Sequence, residues 1–234
     1  MSSFKTLDDL GDITGKVALV RVDLNLPMKD GSATDVSRVE AVKPTILELA
    51  EKGAKVLLLA HYGRPKGQRF STMSTSFVQG DVEKVLDKEI MFIPEVMGPV
   101  VEQSIGILGN GDIGLLDNVR FWPGEEANDP EFARGMAAHG DFYVNDAFSA
   151  AHRAHASTEG LAHHLPAYAG RAMEAELKAL DAALGNPEAP VAAVVGGAKV
   201  STKLDVLTNL VGKVQHLIIG GGMAYTFLKV LHGM

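Results

Sequence analysis

Short apolar runs alternate along the chain with longer segments that have helical spacing. The runs KVALVRVDLN (residues 16–25) and AKVLLLAHY (54–62) are rich in Val and Leu and alternate only weakly with polar residues. This pattern is typical of parallel strands that are covered on both faces. Five further apolar runs are also predicted strands, at 89–94, 112–119, 141–146, 191–196 and 216–220.

Two segments between these runs have the spacing of amphipathic helices. In the first, Pro44 predicts either two short helical pieces or a late start. Its apolar positions are Val39, Val42, Ile46 and Leu49. The second, at 171–187, ends on the stop signals Gly185 and Pro187. Its apolar stripe consists of Met173, Leu177, Leu180 and Leu184.

Strands that alternate with helices favour an α/β fold with a doubly wound parallel sheet, a Rossmann-like architecture of three layers. The stop signals at 185–190, followed by a new strand, predict a domain boundary. We expect a first domain over 1–170, a connecting helix over 171–185 and a second α/β domain from 186 to 234. The second holds only two strand and helix units, which are too few for a covered sheet, so we expect it to be incomplete.

Composition narrows the class of protein. Of the 234 residues, 46% are hydrophobic and 22% are charged, and no apolar run approaches the length of about 18 that a membrane span needs. The first residues lack a basic start followed by an apolar stretch, so we expect a cytoplasmic protein. The absence of cysteine excludes disulfides and thiolate zinc sites. The net charge of -7 argues against nucleic acid as a partner.

Basic and polar side chains recur where the predicted strands end. They are Asp23, Asn25, His61, Arg64, Arg120, His152, Arg153 and His155, with Arg21 inside the first strand and Arg38 soon after it. Taken alone, each arginine is more often a surface residue that contacts solvent or forms a salt bridge than a ligand-binding residue. Together they would meet at one edge of the sheet, where open α/β sheets bind ligands, and guanidinium groups suit carboxylates and phosphates. We therefore predict a site for a small, multiply anionic molecule, with Asp23 and Asn25 as candidates for bonding a hydroxyl.

Three glycine-rich stretches differ in their context. GNGDIG (109–114) precedes a predicted strand, whereas a dinucleotide-binding motif follows a strand and opens a helix, so we interpret its glycines as loop residues. Gly196 and Gly197 do follow a strand, and Lys199 and Lys203 would share one side if a helix began there. The stretch LIIGGG (217–222) repeats this arrangement. Both of these stretches, which follow strands, predict phosphate binding. The alternative is that their glycines only form tight turns.

Histidines raise the alternative of a metalloenzyme. Imidazoles at helical spacing bind zinc, and the candidates are His152, His155, His163 and His164. No nearby carboxylate has the spacing of a familiar metal motif, and Arg153 would repel a cation. We therefore predict no metal ligand in this chain.

Six blocks resemble the phosphoglycerate kinase family in order and context over nearly the whole chain: RVDLNLP, HYGRPKG, NVRFWPGEEANDPEFA, YVNDAFSAAHRAHAS, VVGGAKVSTK and LIIGGGMAYTFLK. The resemblance implies reversible phosphoryl transfer in glycolysis from 1,3-bisphosphoglycerate to ADP, giving 3-phosphoglycerate and ATP. It implies a monomeric enzyme of two α/β domains that close by hinge bending. Mg-ADP and Mg-ATP would be substrates.

The resemblance also implies roles for individual residues. The 3-phosphoglycerate site would be lined by Asp23, Asn25, Arg38, His61, Arg64, Arg120 and Arg153, with Arg21, His152 and His155 completing its basic patch. Arg38 would stabilise the phosphoryl group in transit, and Lys199 and Lys203 would meet the nucleotide phosphates. The nucleotide would be bordered by Gly196, Gly197, Ala198, Gly220, Gly221 and Gly222.

The family continues beyond the length of this chain. The resemblance therefore implies that most of the nucleotide domain, including its magnesium site, lies outside the sequence. We expect the chain alone to have little or no kinase activity and to bind 3-phosphoglycerate weakly. The rival hypothesis is a non-catalytic anion-binding or interaction module, because an incomplete domain would expose apolar surface that drives association.

Overall fold

The computed structural model describes residues 4–185 and 187–234. The fold divides into two compact units, one running up to Ala175 and the other from Glu176 to Met234. The division falls within the helix at Arg171–Leu184. No helix in the described part of the chain is both long and apolar enough to cross a bilayer.

A six-stranded parallel sheet forms the centre of the first unit. The strands of this unit are β1 (Val17–Arg21), β2 (Met28–Lys29), β3 (Ser32–Ala33), β4 (Lys55–Leu59), β5 (Ile90–Ile93), β6 (Ile113–Leu116), β7 (Phe142–Asn145) and β8 (Ala167–Ala169). The sheet has the order β5-β6-β4-β1-β7-β8, and β2 and β3 form a separate antiparallel hairpin. The predicted parallel sheet is confirmed. The hairpin and β8 are additions that the apolar runs do not signal.

Seven helices begin in the described part of the first unit: α1 (Ser37–Glu51), α2 (Ser76–Leu86), α3 (Pro99–Ile107), α4 (Pro123–Glu126), α5 (Pro130–Ala137), α6 (Phe148–Ala151) and α7 (Arg171–Leu184). Short 3-10 helices lie at Leu7–Asp9, Ser71–Met73, Val119–Phe121 and Gly160–His163. Local sequence signals explain where α5 begins. For α5, the Asp129 side chain accepts a hydrogen bond from Phe132 N, and Pro130 occupies the first helical position.

Two apolar clusters cover the two faces of the sheet. Every residue of β1 is buried, with Ala18 and Val20 in the cluster that includes α1 and α2. Leu19 belongs to the other cluster, together with Phe132 and Met136 of α5. Both faces of the strand are therefore apolar, which explains why the sequence of β1 alternates so weakly.

Pro44 does not divide α1, so the predicted break is wrong. The helix runs without interruption from Ser37 to Glu51. Pro44 is exposed, as is Glu40, whose carbonyl loses its usual i+4 donor. Water can satisfy a carbonyl on this outer face, while buried residues such as Ile46 hold the inner face against the sheet.

Helix α7 follows the predicted segment, but its apolar stripe is not buried along its length. Met173 is 6% exposed and Leu180 is 42% exposed, with Leu177 between these extremes. The Leu184 side chain lies outside the described residues. Near its start, the buried Glu174 accepts a hydrogen bond from Arg171 Nη1 at 2.9 Å.

The second unit has a two-stranded parallel sheet, β9 (Ala192–Gly196) and β10 (His216–Gly220). A 3-10 helix at Val200–Thr202 precedes α8 (Leu204–Val211), and α9 (Met223–His232) follows β10. Its small core consists of Val195, Leu207 and Met223. Val194 and Ile218 are paired in register and are 74% and 54% exposed. One sheet face of this unit is therefore bare.

Candidate functional site

The predicted site residues follow strands whose carboxyl ends lie side by side. Arg21, the last residue of β1, is paired in register with Leu59 of β4 and with Asn145 of β7. Leu58 is paired with Leu115, so β6 ends at the same edge. We call the ten predicted residues at this edge the rim: Arg21, Asp23, Asn25, Arg38, His61, Arg64, Arg120, His152, Arg153 and His155.

Arg21 is the most deeply buried member of the rim, with 1% of its surface exposed. Its Nε donates to Ser157 Oγ at 2.9 Å, and its Nη1 donates to the Val22 carbonyl. Its Nη2 contacts His61 Nδ1 at 2.9 Å. These contacts join three chain segments through one guanidinium group.

Asp23 and Arg38 form an ion pair, with 2.8 Å between Oδ2 and Nη1. The same carboxylate accepts hydrogen bonds from Ser149 Oγ and from Asn25 N. Burial raises the pKa of Asp23, but these hydrogen bonds and the charge of Arg38 lower it by more, so the net shift is downward. Asp23 therefore stays a carboxylate and orients Arg38. Both of its oxygens accept hydrogen bonds from protein groups, and a bond from Asp23 to a ligand hydroxyl stays a prediction.

Gly63 connects two further rim residues. Its N–H donates to Asn25 Oδ1 at 2.9 Å, and its carbonyl accepts from Arg120 Nη1 at 3.1 Å. Arg120 is 4% exposed, and its Nε has no hydrogen-bond partner among the described residues, although Glu126 Oε1 lies 3.6 Å away. The loop after β4 is thus held to the loops after β1 and β6.

His61 is neutral at ordinary pH. Burial is the main cause, and the charges of Arg21, Arg120 and Arg153 add to it, so the pKa of His61 falls to about 3 despite the opposing effect of Asp23. Of these charged groups, Arg21 contacts the imidazole directly, at 2.9 Å between Nη2 and Nδ1. A neutral His61 takes part in hydrogen bonding rather than in charge pairing.

Three rim residues are arranged differently from the rest. Arg64 is exposed and forms no hydrogen bond or ion pair with the described residues. His152 is exposed too, and its Nε2 accepts from Arg153 Nε at 3.3 Å. His155 Nδ1 lies 3.7 Å from the buried Glu125, and burial lowers the pKa of His155 although Glu125 opposes this. His155 thus lies beside a buried carboxylate without a hydrogen bond to it.

Several residues that support the rim were not predicted. Asp117 Oδ1 accepts from Thr75 N at 3.0 Å, and Asn118 Nδ2 donates to the carbonyls of Tyr62 and Met73. These two buried side chains hold the loop between β4 and α2. Both lie within the predicted strand at 112–119, which in the structure ends at Leu116, and neither has the basic charge by which the rim was recognised.

The two glycine turns of the second unit contact each other. Gly196 and Gly220 are paired at the ends of β9 and β10, and Met223 N donates to Gly197 O at 2.9 Å. Gly221 has a φ of 68°, and a Cβ atom there would lie 2.9 Å from Gly197 O. Glycine is required by this close approach of two backbones. Gly222 is the N-cap of α9, and an added Cβ there would lie 3.3 Å from Ala198 O.

Lys199 and Lys203 do not share a helical face. Lys199 has extended backbone angles and α8 begins only at Leu204, so the helix that would place both lysines on one side does not begin there. The intervening residues form a 3-10 helix with about three residues per turn, in which a spacing of four does not align side chains. Both lysines are exposed beside the glycine turns in sequence.

The interpretation of the GNGDIG glycines (109–114) as loop residues is correct for two of the three. Gly109 and Gly111 lie in the loop before β6, where Gly109 N donates to Asp112 Oδ2 at 2.7 Å. Gly114 lies within β6, so it is not a loop residue. Within residues 4–185 and 187–234 no group of three or more His, Asp or Glu side chains is arranged to hold a metal ion.

The low pKa of His61 predicts that acid destabilises the fold. The folded chain keeps His61 neutral down to about pH 3, whereas an unfolded histidine gains a proton near pH 6.5. The stabilising contribution is therefore complete above pH 6.5 and is lost as the pH falls toward 3, by at most about 1.4 kcal/mol per pH unit. Urea unfolding followed by the fluorescence of Trp122 at pH 7.5, 5.5 and 4.5 measures this loss.

The matched variant is His61→Gln, in which the loss between pH 7.5 and 4.5 should be smaller. Burial also lowers the pKa of His139 and His155, but their contributions cancel in the difference between the two proteins. Equal losses in both would show that His61 titrates normally in the fold.

Comparisons with known proteins agree with this geometry. A family model described as "Phosphoglycerate kinase" matches residues 7–234. A protein named phosphoglycerate kinase from Sphingopyxis alaskensis is 68% identical over 228 residues, which cover 97% of this chain and 57% of the relative. One of the same name from Sinorhizobium medicae is 63% identical over 226 residues, with the same coverage.

A solved structure of phosphoglycerate kinase from Coxiella burnetii matches with a TM-score of 0.87 at 40% identity, covering 98% of this chain and 57% of that one. The chain thus spans a little over half the length of these relatives. Since the family model matches almost every residue, the chain belongs to the phosphoglycerate kinase family.

Proposed function

We propose that the protein is a phosphoglycerate kinase that transfers a phosphoryl group reversibly from 1,3-bisphosphoglycerate to ADP, and that the rim binds 3-phosphoglycerate. The observation that carries the proposal is the placement of Arg21, Arg38 and Arg120 at the carboxyl edge of the sheet, where each is held by a hydrogen bond. Family membership makes phosphoglycerate the anion that this chemistry would hold. In this proposal the enzyme is a cytoplasmic, glycolytic monomer.

Phosphoryl transfer asks little covalent chemistry of a protein. It needs in-line positioning and positive charge around the moving group, in a site from which water is excluded. Arg38 suits the second task because Asp23 holds its Nη1, while its other N–H groups have no partner among the described residues. A guanidinium fixed in this way would meet phosphoryl oxygens without reorganisation.

The second unit is proposed to contact the nucleotide. The paired turns at Gly196–Gly197 and Gly220–Gly222 bring backbone groups close together, and Lys199 and Lys203 would supply charge to the phosphates. Magnesium would arrive with the nucleotide as part of the substrate. The described side chains do not form a metal site, so no step is assigned to magnesium here.

Binding of 3-phosphoglycerate by the 234-residue chain tests the role of the rim. Isothermal titration should show weak binding, and Arg153→Ala should weaken it about tenfold or more, because a charge-assisted hydrogen bond is lost. The control is Arg134→Ala, since Arg134 is an exposed residue of α5 paired with Glu131. Absence of binding, or an equal loss in the control, would remove the rim as the binding site.

The catalytic role of Arg38 is tested in a full-length enzyme made by joining this chain to the remaining part of the Sphingopyxis relative. Arg38→Ala should lower turnover by about a hundredfold or more, as expected for an arginine that stabilises charge in the transition state. ATP formation from 1,3-bisphosphoglycerate and ADP is the measurement, with Arg134→Ala as control. A near-normal rate for Arg38→Ala would exclude it from catalysis.

A second candidate function is association of the chain with a second copy of itself through the bare sheet face of the second unit. The exposed, paired Val194 and Ile218 favour it, because contiguous apolar surface drives association. Light scattering should then show mass rising with concentration, and Val194→Lys should reduce this rise. A monomer at all concentrations would rule the second candidate out.

A further inference from the structure

A chain of buried hydrogen bonds begins at Glu125, a residue outside the rim that has no exposed surface. Its Oε2 accepts from Ser157 N at 2.9 Å, and its Oε1 accepts from Ser157 Oγ at 2.6 Å. A carboxylate has no hydrogen to donate, so the hydroxyl hydrogen of Ser157 points toward Glu125. This contact sets the direction of every hydrogen bond that follows.

Ser157 connects Glu125 to Arg21. Because its only hydroxyl hydrogen is used by Glu125, Ser157 Oγ offers lone pairs to Arg21, whose Nε donates to it at 2.9 Å. Tyr143, which is fully buried, also fixes this segment by donating from its hydroxyl to the carbonyl of Ser157 at 2.9 Å. Ser157 is thus held through its N–H, its hydroxyl and its carbonyl.

The last contact in the chain joins Arg21 to His61, at 2.9 Å between Nη2 and Nδ1. A guanidinium only donates, so His61 Nδ1 must accept. A neutral imidazole that accepts at one nitrogen carries its proton on the other. His61 Nε2 has no hydrogen-bond partner among the described residues and is not one of the buried unsatisfied atoms, so its N–H is accessible.

We propose that Glu125, Ser157 and Arg21 act as a relay that fixes His61 as the tautomer protonated on Nε2, so that the rim presents this N–H as a donor to the bound anion. Glu125 and Ser157 are positioning residues, because they act through Arg21. The identity of the anion rests on the proposed function, whereas the tautomer does not.

The relay gives His61 a role that the arginines of the rim do not fill. Protonation of Nδ1 would direct an N–H at the Arg21 guanidinium, which agrees with the downward shift in the pKa of His61 caused by burial and by Arg21. His61 is therefore a neutral donor with one fixed direction. Such a donor distinguishes ligands by where their acceptor oxygen lies, while a cation attracts any anion.

The tautomer is measured by two-bond 15N–1H correlation spectra of the eight histidines in the uniformly labelled chain at pH 7, with His61 assigned by the signal lost in His61→Gln. We expect an unprotonated Nδ1 shift and a protonated Nε2 shift. Protonation on Nδ1, or on both nitrogens, overturns the proposal. This test uses the unaltered protein and needs no ligand.

The relay itself is tested with Ser157→Ala, which leaves Arg21 Nε without its acceptor. The two nitrogen shifts of His61 should move toward each other as the tautomers mix, and Glu125→Gln should move them in the same direction if Ser157→Ala does not fold. The matched control is Ser104→Ala, since Ser104 lies on α3, outside the relay and the rim, and its hydroxyl donates to Val100 O. Unchanged His61 shifts in the relay variants would exclude Glu125 and Ser157 as positioning residues.

Ligand binding separates this proposal from the proposed function. A glutamine amide can place an N–H near the position of Nε2, whereas an asparagine amide reaches only the position of Nδ1. His61→Asn should therefore bind 3-phosphoglycerate about tenfold more weakly than His61→Gln. Equal affinities overturn the donor role of Nε2. If the unaltered chain does not bind 3-phosphoglycerate, the proposed function fails while the spectra still decide the tautomer.

Discussion

Burial of the Arg21 guanidinium is the constraint on which the rim depends. A charged group removed from water costs several kcal/mol unless its donors are matched, so the fold must supply an acceptor for each direction in which Arg21 donates. The acceptors are the Val22 carbonyl, Ser157 and His61, which come from three parts of the chain. Satisfying one side chain thus holds the segments after β1, β4 and β7 in place.

The sheet determines which groups lie close enough to accept hydrogen bonds at this edge. Parallel pairing places the carboxyl ends of β1, β4, β6 and β7 at one edge, and buried polar side chains then connect the loops that leave it. Asp117 and Asn118 hold the loop after β4, as Asp23 holds Arg38. Two rim cations lie beside carboxylates, since Asp23 pairs with Arg38 and Glu126 lies 3.6 Å from Arg120 Nε, so a basic site is compatible with a net charge of -7. Groups fixed before the ligand arrives cost little to organise when it binds.

The sequence predicted the parallel sheet because parallel strands need apolar residues on both faces, and the runs around Val20 and Leu58 have them. It predicted the rim because strand ends meet at one edge. It did not reveal β8, whose Ala-Tyr-Ala sequence lacks β-branched residues, or the continuity of α1 through Pro44, which depends on that face being exposed. The sequence also did not predict the relay from Glu125, because Glu125 and Arg21 are distant in the chain and only the fold brings them together.

The contact between Gly197 and Gly221 restricts how this part of the protein can change. Most close contacts in a fold involve at least one side chain, so a larger residue on one side can be offset by a smaller one on the other. Here the atoms that would obstruct a Cβ at Gly221 belong to the backbone of Gly197. No substitution at Gly197 removes a backbone oxygen, so evolution has no compensating change available. The two turns can diverge only if the strands that carry them move apart.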